Sequence, residues 1–276
     1  MNILITGGYG AIGRKLVVEL DKINHVKLYL ISRSIDLKKR DTKITTISHD
    51  LLEPIPDNKI PSNINIVIHL AALAHDSNAD VMEVNCLITK NIVNAFVNKK
   101  VKFLFFSSVA VYGEAKRKFP IKTTDYCKPS SLYGRGKVKD EVLISSSFQD
   151  HIILRICPVI GDDDTDLLKR VYLPGTMIKY KSSYNRDYSF ASHTTISKVV
   201  LNIIEGNYTK GRVINLRDSQ NYCESYILAK YPGKAVKFPW LVTQPLFALL
   251  NVFSFFPVVY KINCLLTKML KINTYE

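Results

Sequence analysis

The chain opens with Asn2-Ile3-Leu4-Ile5-Thr6-Gly7-Gly8-Tyr9-Gly10-Ala11-Ile12-Gly13, an apolar run that passes straight into a glycine-rich turn. Ile3–Thr6 reads as a buried strand, and Ala11–Leu20 has the spacing of a helix. Glycines between a strand and a helix allow a tight turn, close approach of other groups to the backbone, and close packing of helix on strand. The helix start presents free N–H groups and the positive end of its dipole, a seat for a pyrophosphate. Gly7, Gly10, Ala11, Ile12 and Gly13 are the residues expected at that seat.

Beyond this unit the strand and helix patterns alternate. His25–Ser32, Lys43–Ser48, Ile64–Leu70, Val101–Ser107 and His151–Cys157 read as strands; Asp80–Val97 and Leu132–Ser145 read as helices. Most of the strands are continuous apolar runs, as in a parallel sheet covered on both faces. The expected fold is α/β, a doubly wound parallel sheet (Rossmann) with a smaller C-terminal substrate lobe. Residues 1–160 form the dinucleotide-binding domain in this reading. Residues 161–276, where the rhythm breaks, form a small mixed lobe with the option of returning strands to the main sheet.

The 276 residues are 47% hydrophobic, enough to bury a full core. With 38 Lys and Arg against 24 Asp and Glu, the formal charge is +14, which favours anionic partners. The basic residues fall in short clusters (Lys38-Lys39-Arg40, Lys99-Lys100, Lys116-Arg117-Lys118) without interleaved aromatics. That pattern speaks against nucleic acid and for phosphorylated small molecules. Five cysteines show neither disulfide nor zinc spacing, so no metal site is expected. The N-terminus carries no signal-peptide pattern, and a cytoplasmic location is expected. Phe238–Tyr260 holds 23 residues without a charge, long enough to span a bilayer. Pro239, Pro245, Pro257, Gln244 and Asn251 interrupt it. Core packing is the preferred reading, ahead of peripheral membrane contact and then of a true span.

Two further features carry chemistry. The second strand ends Leu30-Ile31-Ser32-Arg33-Ser34, with no carboxylate until Asp36. An acid there would bind the adenosine ribose 2′-OH of NAD; Arg33 instead suits a 2′-phosphate, so NADP is expected, with NAD as the alternative. Tyr133 and Lys137 lie four apart in a helical stretch and share a face. An ammonium there favours the phenolate and readies Tyr133 for proton transfer. Ser108 follows the strand Val101–Ser107, at the sheet end where such folds bind ligands.

With these residues the chain resembles the extended short-chain dehydrogenase/reductase family of nucleotide-sugar epimerases, dehydratases and reductases. The resemblance runs over roughly residues 1–200 and rests on six ordered matches. These are Thr6–Gly13, Asp50-Leu51, His69-Leu70-Ala71-Ala72, Asn85, Ser107-Ser108-Val109-Ala110-Val111-Tyr112-Gly113, and Pro129 through Lys137 in the pattern P-x-x-x-Y-G-x-x-K. It implies that Asp50 and Leu51 meet the adenine and that Leu70, Ala71 and Ala72 line the cofactor. Tyr133 would be the general acid/base at the sugar oxygen. Lys137 would bind the nicotinamide ribose, and Ser108 would orient the reacting oxygen. Val109 and Ala110 would face the substrate. Pro158, where relatives often carry an Asn, is counted with the cofactor-binding residues, and Arg186 is the candidate for the sugar diphosphate.

The expected function is an NADP-dependent reductase of a nucleotide-linked 4-keto-6-deoxy sugar in surface polysaccharide synthesis. The alternatives are an NAD-dependent nucleotide-sugar 4-epimerase and a non-catalytic dinucleotide-binding protein. A homodimer is expected by family likeness.

Overall fold

A computed structural model describes residues 1–33, 43–73, 80–113, 120–161, 179–181, 187–208, 210–230, 232–237 and 274–276. The chain divides into two compact units. The first comprises Met1–Gly113, Tyr126–Ile156 and His193–Leu216, and the second Glu114–Asp125, Cys157–Ser192 and Arg217–Glu276.

The first unit is the doubly wound sheet. Its strands are β1 (Asn2–Thr6), β2 (Lys27–Ser32), β3 (Ile44–Ser48), β4 (Ile66–His69), β5 (Lys102–Ser108), β6 (His151–Ile156) and β11 (Arg212–Leu216). Their order is β11-β6-β5-β4-β1-β2-β3, and every pairing is parallel. The helices are α1 (Ala11–Asp21), α2 (Val81–Phe96), α3 (Leu132–Ser147) and α4 (His193–Ile204). The continuous apolar runs follow from burial on both faces: Ile3, Leu4, Ile5, Val67, Ile68, Phe103, Leu104 and Phe105 are all inaccessible to solvent. Leu4, Val67, Phe103, Phe105 and Ile153 point to one face, where they form one core with Ile92 and Phe96 of α2 and Ile144 of α3. After β1 the chain builds outward through β2 and β3, then returns to lay β4 against the other side of β1. Strand order therefore reverses between β1 and β4, which leaves a crevice above their C-terminal ends. The strand β11, from late in the chain, completes the sheet beside β6.

The second unit is built from short pieces. β7 (Val159–Ile160) pairs with β10 (Ala191–Ser192), β9 (Asp187–Tyr188) with β12 (Tyr222–Cys223), and β8 (Lys179–Lys181) with β13 (Ala235–Lys237). A short helix, α5 (Glu224–Lys230), adds Ile227 and Leu228 to a small core with Ile160 and Phe190. Tyr188 stacks on Phe190, and Tyr222 meets the same ring edge-on. Phe238–Tyr260 lies outside the described residues. Among those described, no helix is long and apolar enough to cross a membrane.

A buried polar network locks the C-terminal ends of β5, β6 and β11 to α3. Arg155 of β6 gives Glu141 of α3 three hydrogen bonds of 2.8–3.3 Å, and both side chains are 8% exposed. The remaining guanidinium arm donates to the Tyr112 hydroxyl at 2.9 Å, which donates to Asn215 Oδ1 at 2.7 Å. Ser107 donates to Glu141 as well. Such a pair is sustained only because each partner satisfies the other. Arg155→Met should therefore cost about 3–5 kcal/mol in urea unfolding, by stranding the Glu141 carboxylate. Adding Glu141→Met should recover most of that loss; a double variant as unstable as the single one would overturn this account.

Candidate active site

The glycine turn sits at the mouth of the crevice. Gly7 has φ +72°, a left-handed conformation that side chains resist. A Cβ there would stand 2.7 Å from Ala71 N and 2.9 Å from Leu70 C. Only glycine lets the end of β1 come this close to the end of β4. Gly10 N donates to Gly7 O at 3.0 Å. Gly13 is buried beneath the turn, where a Cβ would collide with Gly7 O. α1 starts after Gly10 with no side-chain cap and no carboxylate in its first turn. Gly10 and Ala11 are exposed and Ile12 is half-buried. An uncapped helix start beside a crevice fits the pyrophosphate of a dinucleotide.

The opposing wall is held by polar posts. Thr6 Oγ1 accepts the Ala71 N–H at 3.2 Å and lies 2.6 Å from His69 Nδ1. His69 Nε2 reaches Thr89 Oγ1 at 3.2 Å, and Thr89 donates to Asn85 O at 3.0 Å. Because the Thr89 proton goes to an oxygen acceptor, Asn85 O or the Asp140 carboxylate, His69 donates through Nε2 and accepts from Thr6 through Nδ1. The imidazole is neutral: complete burial, aided by the charge of Lys137, pushes its pKa down to about 3. Asn85 clamps both backbone groups of Leu73, accepting its N–H at 2.7 Å and donating to its carbonyl at 3.0 Å. Leu70, Ala71 and Ala72 are half-buried, and the backbone of Leu70 and Ala71 lies against Gly7. Thr6 opens the glycine motif in the sequence, but nothing there assigned its hydroxyl this bracing role.

The reactive candidates gather at the end of β5. Ser108 Oγ accepts from Ala110 N at 3.2 Å and starts a 3-10 turn, Val109–Tyr112. Val109 is buried and Ala110 half-buried. α3 begins against this turn, because Gly134 lies where a Cβ would be 2.6 Å from Ala110 O. The preceding residue, Tyr133, is half-buried. Lys137 is 3% exposed; its Nζ donates to Phe106 O at 3.0 Å and lies 4.5 Å from the Phe105 ring centroid. The same ammonium is 5.7 Å from the centre of the Tyr133 ring. Burial pushes the Lys137 pKa down to about 8, against the opposing pull of Asp140, Glu141 and Cys86. The group stays a cation at neutral pH. β5 lies two strands from β1, about 10 Å across the sheet.

The remaining expected residues are scattered. Asp50 shapes the turn after β3, with Oδ1 accepting from Leu52 N at 3.1 Å. Leu51 is buried in the core, and its carbonyl accepts from Asn91 Nδ2 at 2.9 Å. Pro158 belongs to the second unit, where its carbonyl accepts from Ala191 N at 3.0 Å. Arg186 lies outside the described residues.

Two measurements check this geometry. Gly7→Ala should destabilise more than Gly206→Ala in urea unfolding. Both impose a side chain on a positive φ, but only residue 7 also meets backbone atoms; equal losses would refute the close approach. Second, an unfolded lysine holds its proton to about 10.5, whereas Lys137 in the fold releases it above about 8. Unfolding in that window takes up a proton, so Lys137 makes stability rise with pH from about 8 to 10.5. Lys137→Met should lack this rise.

Residues 3–181 match a family model described as the NAD dependent epimerase/dehydratase family. D-erythronate dehydrogenase of Haemophilus influenzae is 30% identical over 172 residues, 56% of this chain and 54% of that protein. The chain thus spans about half the length of that curated relative. Among solved structures, UDP-glucuronic acid 4-epimerase from Bacillus cereus in complex with NAD superposes with a TM-score of 0.70 at 21% identity, covering 86% of this chain and 87% of that one. UDP-glucose 4-epimerase from Thermotoga maritima, with UDP-glucose, gives 0.70 at 20% identity over 87% and 86%. These findings correct the expectation of an NADP-dependent reductase of a 4-keto-6-deoxy sugar: the matching family is described as NAD dependent, and the first of these neighbours holds NAD. Arg33 stands exposed just past β2, and an arginine at that strand end does not by itself require a 2′-phosphate. The glycine turn, the β5 end carrying Ser108 and the helix start carrying Tyr133 and Lys137 all fall within the matched stretch, and the chain belongs to the NAD dependent epimerase/dehydratase family.

Proposed function

We propose that this chain is an NAD-dependent enzyme that inverts C4 of a nucleotide-diphosphate sugar. The observation that carries the reading is the Lys137 ammonium, desolvated yet charged at neutral pH, beside Tyr133 and against the end of β5. A cation so placed favours the Tyr133 phenolate, which takes the proton of the C4 hydroxyl and later returns it. Ser108 hydrogen-bonds the same oxygen in its hydroxyl and carbonyl states. The glycine turn and the uncapped start of α1 would hold NAD, which would supply hydride-transfer chemistry at that carbon. Loss and return of one proton and one hydride leave no net redox change. The excess of basic residues suits a diphosphate substrate. The two epimerases among the structural relatives point to the same reaction class.

A second reading, net dehydrogenation of a small sugar acid, is favoured by the likeness to D-erythronate dehydrogenase. The two differ in whether reduced cofactor accumulates. The purified protein, supplied with NAD, is given a panel of UDP-hexoses, UDP-uronic acids, UDP-pentoses and free sugar acids. C4 configuration is followed by NMR and NADH by absorbance. Epimerisation inverts C4 without NADH build-up; stoichiometric NADH with a sugar acid replaces the first reading by the second. Tyr133→Phe should lower kcat by about 10²–10⁴-fold while leaving NAD binding intact. Unchanged turnover in that variant would remove the basis of both.

A further inference from the structure

We infer that Asp140 is a positioning residue for Lys137, the carboxylate that keeps the ammonium beside Tyr133 protonated and completes a buried set of two positive and two negative charges. This inference rests on the roles proposed above for Tyr133 and Lys137. Asp140 follows Lys137 by three residues on α3 and is 1% exposed. Lys137, Arg155, Glu141 and Asp140 are all buried at the same end of the sheet. Glu141 is engaged by Arg155 through both oxygens and by Ser107. Its charge is thus met chiefly by the guanidinium, which leaves Asp140 as the larger of the two carboxylate influences on Lys137, acting through space rather than by a direct ion pair. Asp140 Oδ2 is buried with no hydrogen-bond partner among the described residues. A carboxyl oxygen left unpaired in a protein interior is costly unless a nearby cation compensates it.

Among the described residues, the other carboxylate that acts on Lys137 is Glu141, which is closed on Arg155. From α3, Tyr133, Asp140 and Glu141 face the ammonium and Lys139 is exposed. From α2 comes the Cys86 thiol, held up at about 11 by burial and by Asp140, and so uncharged; Glu83 on that helix is exposed. From β4 comes neutral His69, and β5 offers the Phe105 ring and the Phe106 carbonyl. From β6, Arg155 is closed on Glu141. Burial raises the Asp140 carboxyl to about 6; Lys137, Thr89 and Cys86 pull it down, and Glu141 pushes it up. It is ionised at neutral pH, and each of the pair holds the other charged.

The test reads titration and turnover separately on the full chain. Lysine labelled with 13C at Cε gives the Lys137 midpoint, the resonance being assigned by its loss in Lys137→Met. In Asp140→Asn the midpoint should fall by about one pH unit or more, and the alkaline limb of kcat/KM should fall with it. An unmoved Lys137 midpoint overturns the inference, and so does a moved midpoint with an unmoved limb. Should Asp140→Asn fail to fold, the reciprocal measurement decides: the Asp140 carboxyl midpoint should rise above about 6 in Lys137→Met, and no rise overturns the inference. A moved midpoint in a protein that turns over no substrate upholds the pairing of the two charges and defeats the enzyme reading instead.

Discussion

The end of β1 is pressed against the end of β4, and the geometry above the sheet follows from that approach. Gly7 is the point of contact, with no room for a Cβ before Ala71 N. Because β1 pairs with β2 on one side and β4 on the other, the connections diverge here and leave a crevice. The hydrogen bond from Ala71 N–H to Thr6 and the two exchanged between Asn85 and Leu73 hold the far wall in place. They run through a neutral histidine because an imidazolium could not accept from Thr6.

Two strands away, a second constraint operates on charge. Desolvation alone would drive Lys137 toward neutrality, and the nearby carboxylates offset it. The Phe106 carbonyl and the Phe105 ring give the ammonium a fixed position without neutralising it. Arg155 and Glu141 satisfy each other just beneath, tying α3 to β6. The packing that stabilises this end of the sheet thus also fixes the ammonium proposed to serve Tyr133.

Much of the sheet is legible in the sequence, because apolar runs of strand length between helical stretches have few other solutions. The elements from β1 to β6 fall within a few residues of the runs that announce them. β11 has no such clarity: Arg212-Val213-Ile214-Asn215-Leu216 is short and mixed, and its place beside β6 comes from packing over a separation of about sixty residues. Tyr133, Lys137 and Ser108 are legible because spacing and strand ends are local properties. Arg33 misled, since the identity of one residue at a strand end does not fix which cofactor is bound. The roles of Thr6, Thr89 and Asp140 were invisible because they exist only across neighbouring elements.

By itself the sequence determined the strands and helices from β1 to β6, the glycine turn and the tyrosine–lysine pair, all of which depend on neighbours within a few residues. The tertiary structure alone decided which carboxylate serves which cation, which histidine nitrogen carries the proton, and how near β1 comes to β4. Those outcomes are set by burial and by distances between residues far apart in the chain, and electrostatic energy depends on both.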